Sequence, residues 1–318
     1  MKAFVTGGAG FIGSHLVDML LQEGYQVTAY DNLTEGRLEN LSHLKDNPDF
    51  RFIKGDMRDA ELLMKVLRGQ DVVFHMAAQA NIRKSLEDHY ADLQNNLVGH
   101  INLLEAMLKN EVNDLVFAST SALYGEADVR PTPETYAPIQ TSLYGASKLA
   151  CEAYTEAYIQ FSQLNFWAYR FSNVVGERCR RGVIWDFVHK LARNSRELEI
   201  LGNGKQSKEY IYVQDCVEGI MTGYKKGKGR VNIFNLAVED NKTVDEVADI
   251  VIREMKLEGV KRKYTGGERG WIGDNPIVHL DISRLKSLGW RPRFTADEAI
   301  TRTARWTIEL IRKNRQKT

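Results

Sequence analysis

Cysteine is scarce in this chain. Its three cysteines, Cys151, Cys179 and Cys216, are odd in number and far apart, which excludes a disulfide framework and a zinc cluster and leaves reduced packing thiols. Proline is scarcer for the length: six in 318 residues leave no proline-rich linker. Charge of one sign is also lacking, since 43 Lys+Arg against 42 Asp+Glu leave a net +1. That balance gives no basic field for nucleic acid and no acidic excess of the kind that keeps a chain disordered. No apolar run approaches the roughly 20 residues that cross a bilayer, so no membrane segment is expected. Lys2 runs straight into Ala3-Phe4-Val5-Thr6 and then glycines, without a signal-peptide layout, which predicts a cytoplasmic protein. His15, His75, His89, His100, His189 and His279 show no metal-ligand spacing, and no metal is expected.

What the chain does have is a 43% apolar composition and an alternation of short β-rich runs with longer helical stretches. Lys2–Thr6, Gln26–Tyr30, Arg51–Lys54, Val72–His75, Leu115–Ser119 and Asn165–Arg170 read as strands. Ser14–Glu23, Ala60–Leu67, Leu93–Lys109 and Tyr144–Gln160 read as the crossover helices that parallel neighbours need. The expected fold class is therefore α/β, a doubly wound parallel sheet. After Arg170 the rhythm changes, with strand character returning at Glu209–Val213 and Val231–Leu236 and a helix at Thr243–Met255. The expected organisation is a cofactor domain at 1–171, its sheet completed by parts of 209–238, and a smaller substrate lobe at 172–318 interleaved with it. Gly266–Asp274, with four glycines, reads as a loop.

Thr6-Gly7-Gly8-Ala9-Gly10-Phe11-Ile12-Gly13 falls between the first strand and the first helix, where a dinucleotide-binding turn belongs. Gly7 allows the tight turn, Gly10 lets backbone approach a pyrophosphate, and Gly13 lets the helix pack closely, with its free N–H groups facing the anion. Asp31, 18 positions after Gly13 at the end of the second strand, is placed to accept from an adenosine ribose and to repel a 2′-phosphate. NAD is the expected cofactor. Asp56 after the third strand is placed for the adenine amino group, and Ala77-Ala78-Gln79 after the fourth for close backbone approach.

Tyr144 and Lys148 stand four residues apart, on one face of a helix. An ammonium beside a phenol favours the phenolate, so the spacing predicts Tyr144 as a general base with its pKa drawn down from about 10. Ser119-Thr120-Ser121 leaves the fifth strand at the sheet edge where ligands of such folds bind, and offers a hydroxyl to a substrate oxygen.

Together these residues resemble the extended short-chain dehydrogenase/reductase family of nucleotide-sugar epimerases and dehydratases, over essentially the whole chain. The segments that carry the resemblance are TGGAGFIG at 6–13, DNL at 31–33, FHMAAQA at 74–80, STSALYG at 119–125, YGASK at 144–148, RFSNVVG at 170–176, LGNGKQSKEYIYVQD at 201–215 and GD at 273–274. The resemblance implies a Rossmann-type domain and a catalytic set of Thr120, Tyr144 and Lys148. It implies cofactor contacts at Phe11, Ile12, Asn32, Met57, Asn96 and Ser119 besides those already named. It further implies substrate contacts at Asn173, Val183, Lys208 and Asp274 as well as at Thr120 and Tyr144. Lys208 stands where relatives often hold a diphosphate-binding arginine, and a lysine offers a point charge instead of a fork. Trp271 stands near another such arginine place, with Arg269 two residues away.

Dehydratases of the family carry an Asp-Glu pair just after the catalytic threonine, and related decarboxylases a glutamate two before the tyrosine of the YG pair. Here those places hold Ser121 and Ala122, neither of which can serve as an acid. Epimerisation needs no such acid, so the resemblance implies an NAD-dependent nucleotide-sugar 4-epimerase, with UDP-glucose and UDP-galactose as the expected pair. UDP-glucuronate or a UDP-N-acetylhexosamine is the alternative, because Arg178, Arg180 and Arg181 are placed to meet a carboxylate. A non-catalytic NAD-sensing regulator on the same fold is a further alternative. Leu93, Leu97, Ile101, Leu104 and Leu108 recur at helical spacing, and the resemblance places this helix and the Tyr144 helix at a two-fold interface, so a homodimer is expected.

Overall fold

The first strand, β1 (Lys2–Thr6), is buried on both faces, and its residues alternate between two cores: Ala3 and Val5 pack on one side of the sheet and Phe4 on the other. The protein's computed structural model describes residues 1–82 and 84–316. After β1 the chain runs through α1 (Phe11–Gln22), β2 (Gln26–Asp31), β3 (Phe50–Lys54), α2 (Ala60–Val66), β4 (Val72–His75) and the short α3 (Lys84–Glu87). A π-wound segment, Leu93–Val98, then leads into α4 (Gly99–Lys109), where the sequence had predicted one uniform helix from Leu93. β5 (Asp114–Thr120), α5 (Leu143–Ile159) and β6 (Asn165–Phe171) follow.

These strands and β10 (Val231–Leu236) form one seven-stranded sheet in the order β10-β6-β5-β4-β1-β2-β3, with every pairing parallel. The chain winds outward from β1 through β2 to β3, then returns to place β4 on the other side of β1. That reversal opens a crevice beyond the carboxyl ends of β1 and β4, the usual binding place in a doubly wound sheet.

The remainder builds around a second, smaller sheet. β7 (Asn173–Val175) pairs with β9 (Ser207–Tyr212), which pairs in turn with β11 (Asn241–Thr243). β8 (Glu197–Ile200) pairs in parallel with β12 (Lys261–Tyr264). Helices α6 (Val183–Arg193), α7 (Val213–Lys226), α8 (Val244–Glu254), α9 (Ser283–Ser287) and α10 (Ala296–Arg315) complete it. α8 and α10 both start on a reciprocal cap, Thr243 with Glu246 and Thr295 with Glu298, which satisfies their first free N–H groups. Residues 266–274 contain no helix or strand, as the glycines there predicted.

All three cysteines are free and buried. Of the leucine and isoleucine stripe along 93–108, Leu104 is fully buried and Leu97 and Leu108 pack on the same core, while Leu93 is 41% exposed. Most of that stripe therefore faces inward. Among the described residues no helix is long and apolar enough to cross a membrane.

Candidate functional site

At the end of β1 the chain turns at Gly7, whose φ of 64° suits glycine, and enters α1 four residues later. A Cβ on Gly13 would lie 2.1 Å from the Gly7 carbonyl oxygen, and one on Gly7 2.7 Å from the Ala77 nitrogen. Side chains at either place would fill the turn. The turn opens on a cavity of about 250 Å³ lined by Gly7, Gly10, Phe11, Ile12, Gly13, Asp31, Asn32, Asp56, Met57, Ala77, Ala78 and Gln79. Twelve of the residues expected at a cofactor thus surround one space.

Asp31 is buried, with Oδ2 accepting from the Ala9 N–H at 3.1 Å and Oδ1 from Leu33 at 2.8 Å. Burial pushes its pKa up, and these backbone donors pull it back. Its carboxylate therefore holds the glycine turn in shape as well as facing the cavity. Asp56 accepts from Arg58 Nε and Nη2, both at 2.9 Å, and from Asn32 Nδ2 at 3.0 Å, which together hold its carboxyl well below the usual range.

Asn96 lies behind the cavity wall. It accepts the Gln79 N–H at 2.8 Å and donates to the Gln79 carbonyl at 3.1 Å and to Ser147 Oγ at 2.9 Å. It ties the loop after β4 to α5. Two guanidinium nitrogens on residues that line this cavity, Arg178 Nη1 and Arg180 Nε, are buried without a hydrogen-bond partner among the described residues. A glycine cradle at a helix start together with orphaned cationic donors fits a pyrophosphate-bearing cofactor.

A second cavity of about 600 Å³ adjoins the first, sharing Phe11, Ile12, Glu35, Cys179 and Arg181 with it. Its wall includes Ser119, Thr120, Tyr144, Asn173, Val183, Lys208 and Asp274, so every expected substrate residue borders it. Thr120 ends β5 with an extended backbone, and its hydroxyl accepts from the Ala122 N–H at 3.1 Å. Ser142 caps α5 by accepting from Gly145 at 3.1 Å, which presents Tyr144 in the first turn. Asn173 donates to the Glu209 carbonyl at 3.3 Å. Lys208 is paired with the buried Asp274 and lies 5.2 Å from the centre of the Trp271 ring.

The spacing of Tyr144 and Lys148 had suggested that their heads meet. In the structure Lys148 borders neither cavity. Its ammonium donates to the Ala118 carbonyl at 2.7 Å and sits 4.4 Å from the Phe117 ring centre. Burial lowers its pKa to about 8, against the pull of Cys151, Glu152 and Asp92. The Tyr144 phenol, desolvated in turn, is raised above its ordinary value, and the groups drawing it down are Arg181 and the Thr120 hydroxyl. The expected lowering by Lys148 is therefore not found: burial dominates and raises the phenol, and Arg181 and Thr120 only partly oppose it.

Two charged residues escaped the sequence reading. Glu152 and Arg170 form a buried pair behind the site, with Nη2 to Oε2 at 2.6 Å and Nε to Oε1 at 3.2 Å. Glu152 also accepts from Ser119 Oγ at 2.5 Å. The available signal was an acid one turn beyond Lys148 on the same helix face.

A glycine-cradled cavity joined to a tyrosine-bearing one, at the switch point of a doubly wound sheet, defines a dinucleotide-dependent α/β enzyme. The family model described as the NAD dependent epimerase/dehydratase family matches residues 3–237. A UDP-glucose 4-epimerase of Mycolicibacterium smegmatis is 31% identical over 324 residues, spanning 99% of this chain and 100% of that one. A solved UDP-galactose 4-epimerase is 37% identical with a TM-score of 0.88, covering 98% and 100%. The Thermotoga maritima UDP-glucose 4-epimerase, solved with UDP-glucose, is 32% identical with a TM-score of 0.89 over 98% and 100%. A UDP-glucuronate 4-epimerase of Thermodesulfobacterium geofontis is 29% identical over 97% of each chain. The chain belongs to the NAD-dependent epimerase/dehydratase family, and NAD is its cofactor.

Proposed function

We propose that the protein interconverts UDP-galactose and UDP-glucose by inverting the sugar at C4. The observation that carries this reading is the pairing of Thr120 with Tyr144 on the wall of the larger cavity, beside its junction with the dinucleotide cavity, and with no acid in the two places after Thr120. Ser121 and Ala122 supply no proton to a leaving hydroxyl, so elimination lacks its acid. The named 4-epimerases among its relatives, one solved with UDP-glucose, support the same substrate class.

NAD, held by the glycine turn with Asp31 and Asp56 on the cavity wall, would supply the acceptor and then the donor of hydride for the sugar C4. Tyr144, as phenolate, takes the C4 hydroxyl proton and gives it back after the sugar has turned. Thr120 stabilises the phenolate and orients the same hydroxyl. Lys148 holds a positive charge behind the strand end, and its neutralisation above pH 8 would weaken that field. The cavity volume of about 600 Å³ lies within the range of small-ligand sites. Asn173, Lys208 and Asp274 stand on its wall as contacts for the sugar, diphosphate and nucleoside.

A second reading takes UDP-glucuronate, and Arg181 favours it: among the described residues it has no carboxylate partner, while Arg178 pairs with Asp18 and Arg180 with Glu39. A panel of UDP-, dTDP-, CDP- and GDP-sugars followed for C4 inversion by NMR decides between them. Inversion of UDP-galactose alone supports the first reading, and inversion of UDP-glucuronate alone replaces it with the second. Two-fold pairing through α5 and the segment before α4 remains our reading of the apolar side chains Leu93, Leu143, Tyr154 and Phe161, each more than 40% exposed. A monomer mass in solution scattering would overturn it.

A further inference from the structure

We propose that the segment 177–182, which joins β7 to α6 in the second lobe, is part of the NAD site: a strap whose Arg178 and Arg180 meet the cofactor's pyrophosphate. Arg178 and Arg180 share the wall of the dinucleotide cavity with Gly7, Gly10 and Gly13. Each is only half satisfied. Arg178 Nη2 pairs with Asp18 on α1 at 2.8 Å, and Arg180 Nη2 with Glu39 at 3.6 Å. Among the described residues, Arg178 Nη1 and Arg180 Nε have no partner although both atoms are buried.

A buried cationic donor without an acceptor is costly, and an anion beside the two guanidinium groups that border this cavity would offset that cost. Facing the N-terminus of α1, that anion is a diphosphate. The carboxylates thus hold each guanidinium by its Nη2 and leave Arg178 Nη1 and Arg180 Nε for the ligand.

The backbone is shaped for this crossing. Gly176 at φ 149° and Gly182 at φ 85° flank the strap, and Arg178 adopts φ 67°, a left-handed conformation uncommon for a residue with a side chain. Glu177 fixes the near end: its carbonyl accepts from His15 Nε2 on α1 at 3.0 Å, and its carboxylate accepts from the Tyr212 hydroxyl at 2.7 Å. The second lobe therefore reaches across to the helix that starts at the glycine turn. Arg181, at the junction of the two cavities, is left for the substrate side.

The test measures binding of NAD, ADP-ribose, adenosine and UDP by calorimetry to the whole protein stripped of nucleotide. Arg178→Gln and Arg180→Gln are expected each to weaken NAD and ADP-ribose by about tenfold and to flatten the salt dependence, with adenosine and UDP unchanged. Asp18→Asn, which frees the Arg178 arm without removing it, is expected to loosen NAD by a smaller factor and guards against a folding defect in the arginine variants. Affinities for NAD within twofold of wild type in both arginine variants overturn the strap, as does an equal loss for UDP. Failure of the wild-type protein to bind NAD would instead overturn the cofactor assignment itself.

Discussion

The Lys148 ammonium donates to the Ala118 carbonyl oxygen, two residues before Thr120, and not toward the cavity that Tyr144 borders. A charge enclosed in this way between α5 and β5 is kept at a cost to stability. Its pKa falls from 10.5 to about 8 because burial disfavours the charged form. A lysine depressed on folding leaves its penalty in full below about pH 8, and the penalty fades as pH rises toward 10.5, where the unfolded chain also loses its proton.

Lys148→Met is therefore expected to raise the melting temperature at neutral pH, by roughly 2 °C or more, while lowering turnover. The gain should shrink as pH climbs above 8. Calorimetric scans at several pH values check this, and a fall in melting temperature at pH 7 would show that the hydrogen bond to Ala118 outweighs the buried charge.

Tyr144→Phe should leave the fold intact and reduce turnover by about 10²–10⁴, the range expected for a lost acid-base group. Thr120→Val should reduce it less and move the acid limb of the kcat profile to higher pH. Steady-state rates with each nucleotide sugar provide the measurement. Wild-type rates in the phenylalanine variant would remove Tyr144 from the reaction.

Arg181 pulls the Tyr144 pKa down across the junction of the cavities, while burial pushes it up. Removing the charge in Arg181→Gln leaves burial less opposed, so the phenol needs a higher pH to ionise. The acid limb of kcat is expected to move upward in pH, more at low than at high salt. An unmoved limb would mean that the bound cofactor alone sets the ionisation.

Glu152 holds Arg170 and Ser119 together behind Thr120. Glu152→Gln leaves a buried guanidinium without its counter-charge, and a loss of about 3 kcal/mol in urea unfolding is expected. A change below about 1 kcal/mol would show that the Tyr124 hydroxyl and the Glu134 carbonyl, which also accept from Arg170, are sufficient partners.

The main sheet was legible because its central strands are buried on both faces and read as short apolar runs, as Val72–His75 does. The glycine turn was legible because close approach to Ala77 and to the start of α1 permits no side chain. β8 and β12 were not, since each is only four residues long, too short for its pattern to stand out, and the partner of β8 lies more than 60 positions later. A far larger separation in sequence hid the Arg178 pair with Asp18. For Lys148 the helical spacing gave the face correctly, yet a four-carbon side chain can end on either side of the strand, and here it ends on the carbonyl of Ala118.

The central claim is that hydride leaves C4 and comes back to it within one closed site. UDP-galactose carrying deuterium at C4, incubated with the purified protein and NAD in ordinary water and followed by NMR, tests this most directly. The account predicts UDP-glucose with the deuterium still on C4. Product with hydrogen at C4, or no product at all, would contradict it.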